Sequence, residues 1–167
     1  MKEKGSAMVY AAWIGIDAPS RVMKFYQEKG HFDTGFLATD ILCDVLFQNG
    51  YADVAYQLLS SESHGSFLYM KRHGATTLWE NWSGRNSHSH PMFGACTRQI
   101  FEGILGIRQP YGSFGYETVT ITPTLPCGMT NASGTLETPK GKITVSLHRE
   151  GDRVVNDITA PEFLTNT

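Results

Sequence analysis

The spacing of apolar positions changes character once along the chain. Up to about residue 108 apolar side chains recur at helical steps, and from 117 onward they alternate with polar ones. A first helix is predicted over 7–16. A second runs from Asp17, whose side chain caps it with Pro19 in the first turn, to a stop at Gly30. In the third, Leu37, Ile41 and Val45 recur at four-residue steps, Leu42 and Leu46 widen that face, and Gly50 in "QNG" supplies a left-handed stop. A fourth, Tyr51 to Ser60, follows so closely that helices three and four are expected to be antiparallel neighbours. The last is "HPMFGACTRQIFEGILG", with Pro91 in its first turn, an apolar stripe of Phe93, Cys96, Ile100 and Ile104, and Gly106 at its end.

The alternating segments "ETVTITP" (117–123), "KITVSLH" (142–148) and "DRVVNDITAP" (152–161) are predicted strands, and "TPKGK" and "REGDR" read as hairpin-type turns. Helices first and strands second imply segregated α and β layers rather than β-α-β units, with a boundary between Gln109 and Gly115. No repeat of solenoid period and no low-complexity segment interrupts this order.

Composition narrows the classes. The chain has 167 residues, enough for one ordinary domain or two small pieces, and 41% apolar with 18% charged residues describes a soluble globular protein. No apolar run approaches the roughly 20 residues of a membrane span, so no membrane partner is expected. Net charge is −2 and the Lys and Arg residues are scattered, which argues against a nucleic-acid partner. Cys43, Cys96 and Cys127 are odd in number, widely spaced and without a C-x-x-C pair, and all three read as free thiols. The start, "MKEKGSAMVYAAWIGID", has the basic opening of a leader, but its apolar run is interrupted and is read as helix; the compartment, periplasmic or cytoplasmic, stays open.

Chemistry concentrates in "TTLWENWSGRNSHSH", residues 76–90, where Glu80 lies between Trp79 and Trp82. A carboxylate held among aromatics is partly desolvated, which suits general acid or base work, and indole faces pack against the apolar faces of sugar rings. The competing reading makes both tryptophans core and Glu80 a solvated neighbour, and such juxtapositions are common. His88 and His90, with His73, raise a metal alternative, yet a third ligand at suitable spacing, an H-E-x-x-H and a cysteine pair are all missing, so neither metal nor cofactor is expected. His90, just ahead of the last helix, suits a hydrogen-bonding role, and His88 reads as loop surface. In "GHFDTGFLATD", His31, Asp33 and Thr34 stand at the entrance to the third helix. Asp33 or Thr34 is either its N-cap or part of a loop opening onto the cavity of Glu80. The sequons at Asn81 and Asn131 carry no weight.

Three segments, "HFDTGFLATDILCDVLFQNGYADVAYQLL", "GSFLYMKRHGATTLWENWSG" and "SHSHPMFGACTRQIFEGILGI", together resemble the C-terminal half of the catalytic domain of bacterial α-L-rhamnosidases of glycoside hydrolase family 78. "YETVTITPTLPCGMTNASGTLETPKGKITVSLHREGD" is similar to the β-sandwich domain that closes those enzymes. The resemblance covers nearly the whole chain from Gly30, and it implies helices of a partial (α/α)6 toroid over 1–108 packed beside a C-terminal antiparallel β-sandwich over 109–167. It also implies hydrolysis of terminal α-L-rhamnosides with inversion, by a glutamate acid and a glutamate base. Carried over by motif, Glu80 matches the general base, Trp79 or Trp82 would shape the sugar pocket, and His90 matches a histidine that contacts rhamnose; Asp33, on the loop that would open onto the same cavity, is the further substrate-side candidate.

Inversion needs two carboxyl groups roughly 6.5–9.5 Å apart, and only one is visible. The acidic, arginine-containing stretch that bears the family's acid has no counterpart in the sequence, and the predicted helices are too few to close a six-hairpin ring. The expectation is therefore a fragment with half a catalytic site, inactive or nearly so alone. Its apolar helix faces would recruit a second copy or the missing N-terminal half of the barrel. Two other readings stay open: a non-catalytic carbohydrate-binding module, and a degenerate remnant. The partner in either active reading is a rhamnose-containing glycoside or polysaccharide.

Overall fold

The computed structural model describes residues 5–162. The basic opening of the sequence, on which the leader-like appearance rested, and the last residues of the predicted β domain lie outside that range. The chain divides into two compact units, Met1–Gln99 and Ile100–Thr167.

The first unit is built from α1 (Gly5–Trp13), α2 (Pro19–Lys29), α3 (Phe36–Gln48), α4 (Ala52–Leu59), the short α5 (Phe67–Arg72) and a 3-10 segment, Pro91–Thr97. α2 ends as its sequence implies: Gly30 takes φ 70° and donates its N–H to the Tyr26 carbonyl. Its start differs, since Ala18 occupies the cap position without a side-chain bond. Asp17 instead accepts from the Ala18 N–H at 2.8 Å and from Arg21 at 3.0 Å.

α3 keeps most of the expected face, with Leu42, Val45 and Leu46 buried, but departs from it at its start. Leu37 is 59% exposed, while Thr39, Leu42, Cys43 and Leu46 are buried, because α3 is covered by α1 and by the 3-10 segment. A threonine on this face is tolerated because its hydroxyl is satisfied, by Thr34 Oγ1 at 2.7 Å and by the Gly35 carbonyl at 2.9 Å. Neither Asp33 nor Thr34 caps α3. Gly35 holds that position and makes no side-chain bond. α5 was not foreseen; Ser66 caps it by accepting the Tyr69 N–H at 3.2 Å.

The predicted last helix does not form as one rod. Residues 91–97 wind as a 3-10 helix and Ile100–Ile104 as a π segment. In a 3-10 helix positions three apart eclipse. Phe93, Cys96 and Gln99 follow that period and all are buried, whereas Ile100, placed on the stripe by an α-helical period, is 45% exposed.

An aromatic cluster fills the first unit beneath the 76–90 segment. Trp82 stacks on Phe32 with centroids 5.6 Å apart and planes 6° from parallel, meets Phe67 edge-on at 5.3 Å and touches Phe93 at 4.2 Å. Such pairs contribute about 0.5–1.5 kcal/mol each beyond the area they bury.

In the second unit, β1 (Ile107–Arg108) pairs antiparallel with β2 (Thr120–Ile121). A separate antiparallel sheet runs in the order β3 (Asn131–Thr138), β4 (Gly141–Glu150), β5 (Arg153–Thr159). The two predicted turns join these strands. Along β4, Ile143, Val145 and Leu147 alternate into the core. β3 was not foreseen, and β2 is much shorter than the alternation over 117–123 implied. The chain is thus helical first and then antiparallel strands in two sheets. No helix among the described residues is long and apolar enough to cross a membrane.

Candidate active site

Glu80 sits on the segment that connects α5 to the 3-10 helix. Main-chain bonds close this segment into a hairpin: the His90 N–H donates to the Leu78 carbonyl at 2.8 Å and the Glu80 N–H to the Ser87 carbonyl at 2.8 Å. The Thr77 hydroxyl donates to the His88 carbonyl. At the tip Asn81 Oδ1 accepts from the Ser83 N–H, the Ser83 hydroxyl and the Arg85 N–H, an Asx turn that frees the following residues to fold back. The glutamate is held at both oxygens. Oε2 accepts the Ser87 N–H at 3.2 Å and Oε1 accepts from Asn86 Nδ2 at 3.3 Å.

Trp79 holds up this arrangement from below. Gly84, at φ 66°, approaches its indole so closely that a Cβ there would lie 2.9 Å from Cε3. His88 stacks on the same indole, 5.0 Å between centroids and 23° from parallel, and its Nε2 lies 2.7 Å from the Gly84 carbonyl. Because a carbonyl only accepts, that contact requires the proton on Nε2. His88 is therefore a structural member of the loop, more than the bare surface residue its sequence context implied.

Trp82 belongs to the core, 9% exposed, and its Nε1 donates to the Thr34 carbonyl at 2.7 Å. Through this bond and the ring of His90, packed 4.7 Å from Phe36, the hairpin is brought to the entrance of α3. Asp33 accepts from the Tyr26 hydroxyl at 2.7 Å and pairs with Lys29 at 2.9 Å. Burial first, and then the bond and charge of Asp33, push the Tyr26 phenol far above the usual tyrosine range, so it stays a donor. α1 lies against this pair, and a side chain at Gly5 would collide with both groups.

His90 Nε2 is buried without a hydrogen-bond partner among the described residues. His73 stacks on Tyr69 at 3.9 Å and bonds the Tyr69 carbonyl through Nδ1. No group of three His, Cys, Asp or Glu side chains that could hold a metal occurs among the described residues. Asn86 and Ser87, which position the Glu80 carboxylate, were missed; the signal was the Asn81-x-Ser83 spacing of an Asx turn, seen only as a glycosylation sequon.

A helical unit followed by antiparallel strands is the order of the α-L-rhamnosidase six-hairpin and C-terminal domains. Residues 13–104 match the bacterial alpha-L-rhamnosidase 6 hairpin glycosidase domain and residues 106–166 match the bacterial alpha-L-rhamnosidase C-terminal domain. The chain belongs to the bacterial α-L-rhamnosidase family. It is 36% identical over 142 residues to an α-L-rhamnosidase of Alteromonas sp. (strain LOR), an alignment covering 78% of this chain and 15% of that protein. The α-L-rhamnosidase structure from Dictyoglumus thermophilum superposes with a TM-score of 0.85 at 27% identity, over 98% of this chain and 21% of that one. The Streptomyces avermitilis α-L-rhamnosidase, solved in complex with L-rhamnose, gives a TM-score of 0.85 at 27% identity over 96% of this chain and 17% of its own. The chain spans about a sixth of the length of the curated relatives it matches.

Proposed function

We propose that this chain carries part of the active site of an inverting α-L-rhamnosidase acting on terminal α-L-rhamnosides, with Glu80 as the general base. The observation that supports this most is the fixing of both Glu80 oxygens by Ser87 and Asn86 on a hairpin closed by main-chain bonds. A base must be held in one orientation if it is to take a proton from a water aimed at the anomeric carbon. His90, whose main-chain N–H closes the same hairpin, is the candidate for contact with rhamnose. Trp79 and Trp82 shape the pocket from behind, and Asp33, braced by Tyr26 and Lys29, faces the substrate from the α3 entrance.

The reaction requires a second carboxyl group to protonate the leaving oxygen, roughly 6.5–9.5 Å away across the sugar. In this reading it comes from polypeptide outside the chain, whose residues 1–108 form the C-terminal half of the barrel and 109–167 the β domain. Alone, the chain is then inactive. Its helical half, where Trp13, Ile14 and Ile16 are 56%, 60% and 78% exposed, pairs with the N-terminal half of the barrel or with a second copy.

The test is hydrolysis of p-nitrophenyl α-L-rhamnoside by an enzyme completed with an N-terminal barrel half. Glu80→Gln should lower kcat about 10²–10⁴-fold with the fold unchanged. Turnover retained by that variant removes Glu80 from the role of base.

A further inference from the structure

The Glu80 carboxylate takes its hydrogen bonds from two neighbours, Asn86 Nδ2 at 3.3 Å on Oε1 and the Ser87 N–H at 3.2 Å on Oε2. Both donors belong to exposed residues of a connecting segment. Such segments are ordinarily the more mobile parts of a fold. The grip on the carboxylate is therefore only as good as whatever holds residues 85–87 in place.

Two residues bracket that stretch, Gly84 before it and His88 after it, and both rest on the Trp79 indole. Gly84 lies against the six-membered ring, where a Cβ would stand 2.9 Å from Cε3 and 2.9 Å from Cζ3. The His88 imidazole stacks on the same indole, 5.0 Å between centroids and 23° from parallel. Trp79 is 7% exposed, so both contacts are made to a ring that the surrounding protein holds still. The bracket is then closed by His88 itself, whose Nε2–H donates to the Gly84 carbonyl at 2.7 Å. From the opposite side of the hairpin the Thr77 hydroxyl donates to the His88 carbonyl. Residues 85–87 thus form an arch whose two ends are fastened to one buried ring and to each other, and the arch carries both donors to Glu80.

We propose that His88 is a positioning residue for Glu80: by fixing both ends of the arch it keeps the Asn86 amide and the Ser87 N–H on the two carboxylate oxygens, and it acts on the carboxylate through those donors. The geometry of this inference rests on the hairpin alone, and its consequence for turnover rests on the general-base reading of Glu80. An imidazole suits the place because it joins a flat face to a donor at its far nitrogen. Phenylalanine would keep the stack and lose the bond; glutamine would keep a donor of similar reach and lose the stack. The Nε2–H is present in the neutral tautomer that this contact selects and in the protonated ring alike, so taking up a proton leaves the bracket closed. A base that must aim at one water gains directly from an arch of this kind, since a small displacement of the carboxylate is enough to spoil the line of attack.

The test follows the Ser87 amide proton of the 167-residue chain by NMR as pH is lowered through the carboxylate range. An N–H bonded to a carboxylate changes its shift when that carboxylate takes up a proton, because the charge-assisted bond weakens. The wild-type signal should move, and Glu80→Gln, which removes the titrating group, should abolish the movement. His88→Ala should lose most of it with the circular dichroism spectrum unchanged, while His88→Gln and His88→Phe, each keeping one of the two holds, should fall between. In an enzyme completed with an N-terminal barrel half, His88→Ala should lower kcat on the order of tenfold at little-changed KM, and His88→Gln should recover part of that loss. A Ser87 signal that follows Glu80 as fully in His88→Ala as in the wild type overturns the proposal, as does a wild-type signal indifferent to Glu80. A rise in KM at constant kcat also overturns it, by making His88 a substrate contact. Loss of the shift in His88→Ala with kcat and KM both unchanged upholds the positioning and removes instead the general-base reading of Glu80.

Discussion

The indole N–H of Trp82 donates to the main-chain carbonyl of Thr34 at 2.7 Å, a bond that joins residues 48 apart and fastens the Glu80 hairpin to the entrance of α3. Trp82→Phe retains a ring among Phe32, Phe67 and Phe93 but leaves the Thr34 carbonyl with only the long 3.4 Å contact from Thr39. An under-satisfied buried acceptor costs about 1–3 kcal/mol, and urea denaturation should show the midpoint falling accordingly. Trp82→Ala, which also opens a cavity, should cost about 3–5 kcal/mol. An unchanged midpoint for the phenylalanine variant would remove the bond from the forces that hold the two segments together.

Gly84 meets two demands at once, a positive φ of 66° and a 2.9 Å approach to the Trp79 ring that a methyl group would fill. Gly84→Ala therefore incurs about 1–2 kcal/mol of backbone cost and displaces the indole that supports the hairpin. Limited proteolysis should cut faster within 81–87 in this variant than in the wild type. On the role proposed for Glu80, kcat of a completed enzyme should fall more than KM changes, because its carboxylate is misaimed.

How far this structure was legible in the sequence depended on whether local signals agreed with long-range packing. Gly30 and Gly50 marked helix ends because a left-handed residue is a local requirement. The face of α3 was misjudged at Leu37 because the stripe chosen from four-residue steps ignores which side the neighbouring elements occupy. The broken helix over 91–104 was invisible for a similar reason: Phe93, Cys96 and Gln99 select a 3-10 period only once α3 is there to bury them. β3 escaped notice because "NASGTLET" is short of large apolar residues and takes its order from pairing with β4. For the proposed site, the Trp79-Glu80-x-Trp82 cluster marked the segment in the sequence, yet the two indoles are buried supports, and the groups that grip the carboxylate, Asn86 and Ser87, belong to a turn that only the folded hairpin reveals.

Tyr26 gives the fold an alkaline limit. Its phenol is raised far above the unfolded value near 10 by burial and by the Asp33 carboxylate. A group whose folded pKa is raised contributes its full stability below the unfolded pKa and loses it as pH climbs beyond that value. The melting temperature should therefore decline above about pH 10. Tyr26→Phe lowers stability at neutral pH by deleting the 2.7 Å bond to Asp33, and it should also flatten the alkaline decline. The difference between the two curves isolates this phenol from the other tyrosines, and parallel curves would show that its ionisation is not coupled to unfolding.

The thiols report on the packing of α3 against the 3-10 segment. Cys43 and Cys96 are buried while Cys127 is exposed, and none of the three is in a disulfide. The Cys43 thiol is pushed up first by its hydrogen bond with Cys96 and then by burial, with Asp40 and Asp44 adding to the shift, so it is the less able to ionise and react. Alkylation by iodoacetamide near pH 8 should modify Cys127 promptly, leaving Cys43 and Cys96 to react only at the rate at which the helical unit opens. Mass spectrometry over time should then show one modified thiol on a plateau before the other two follow together, and urea should merge the phases. A second thiol modified as fast as Cys127 would mean that α3 and the 3-10 segment separate readily, and the close packing of Phe93, Cys96 and Gln99 against α3 would have to be abandoned.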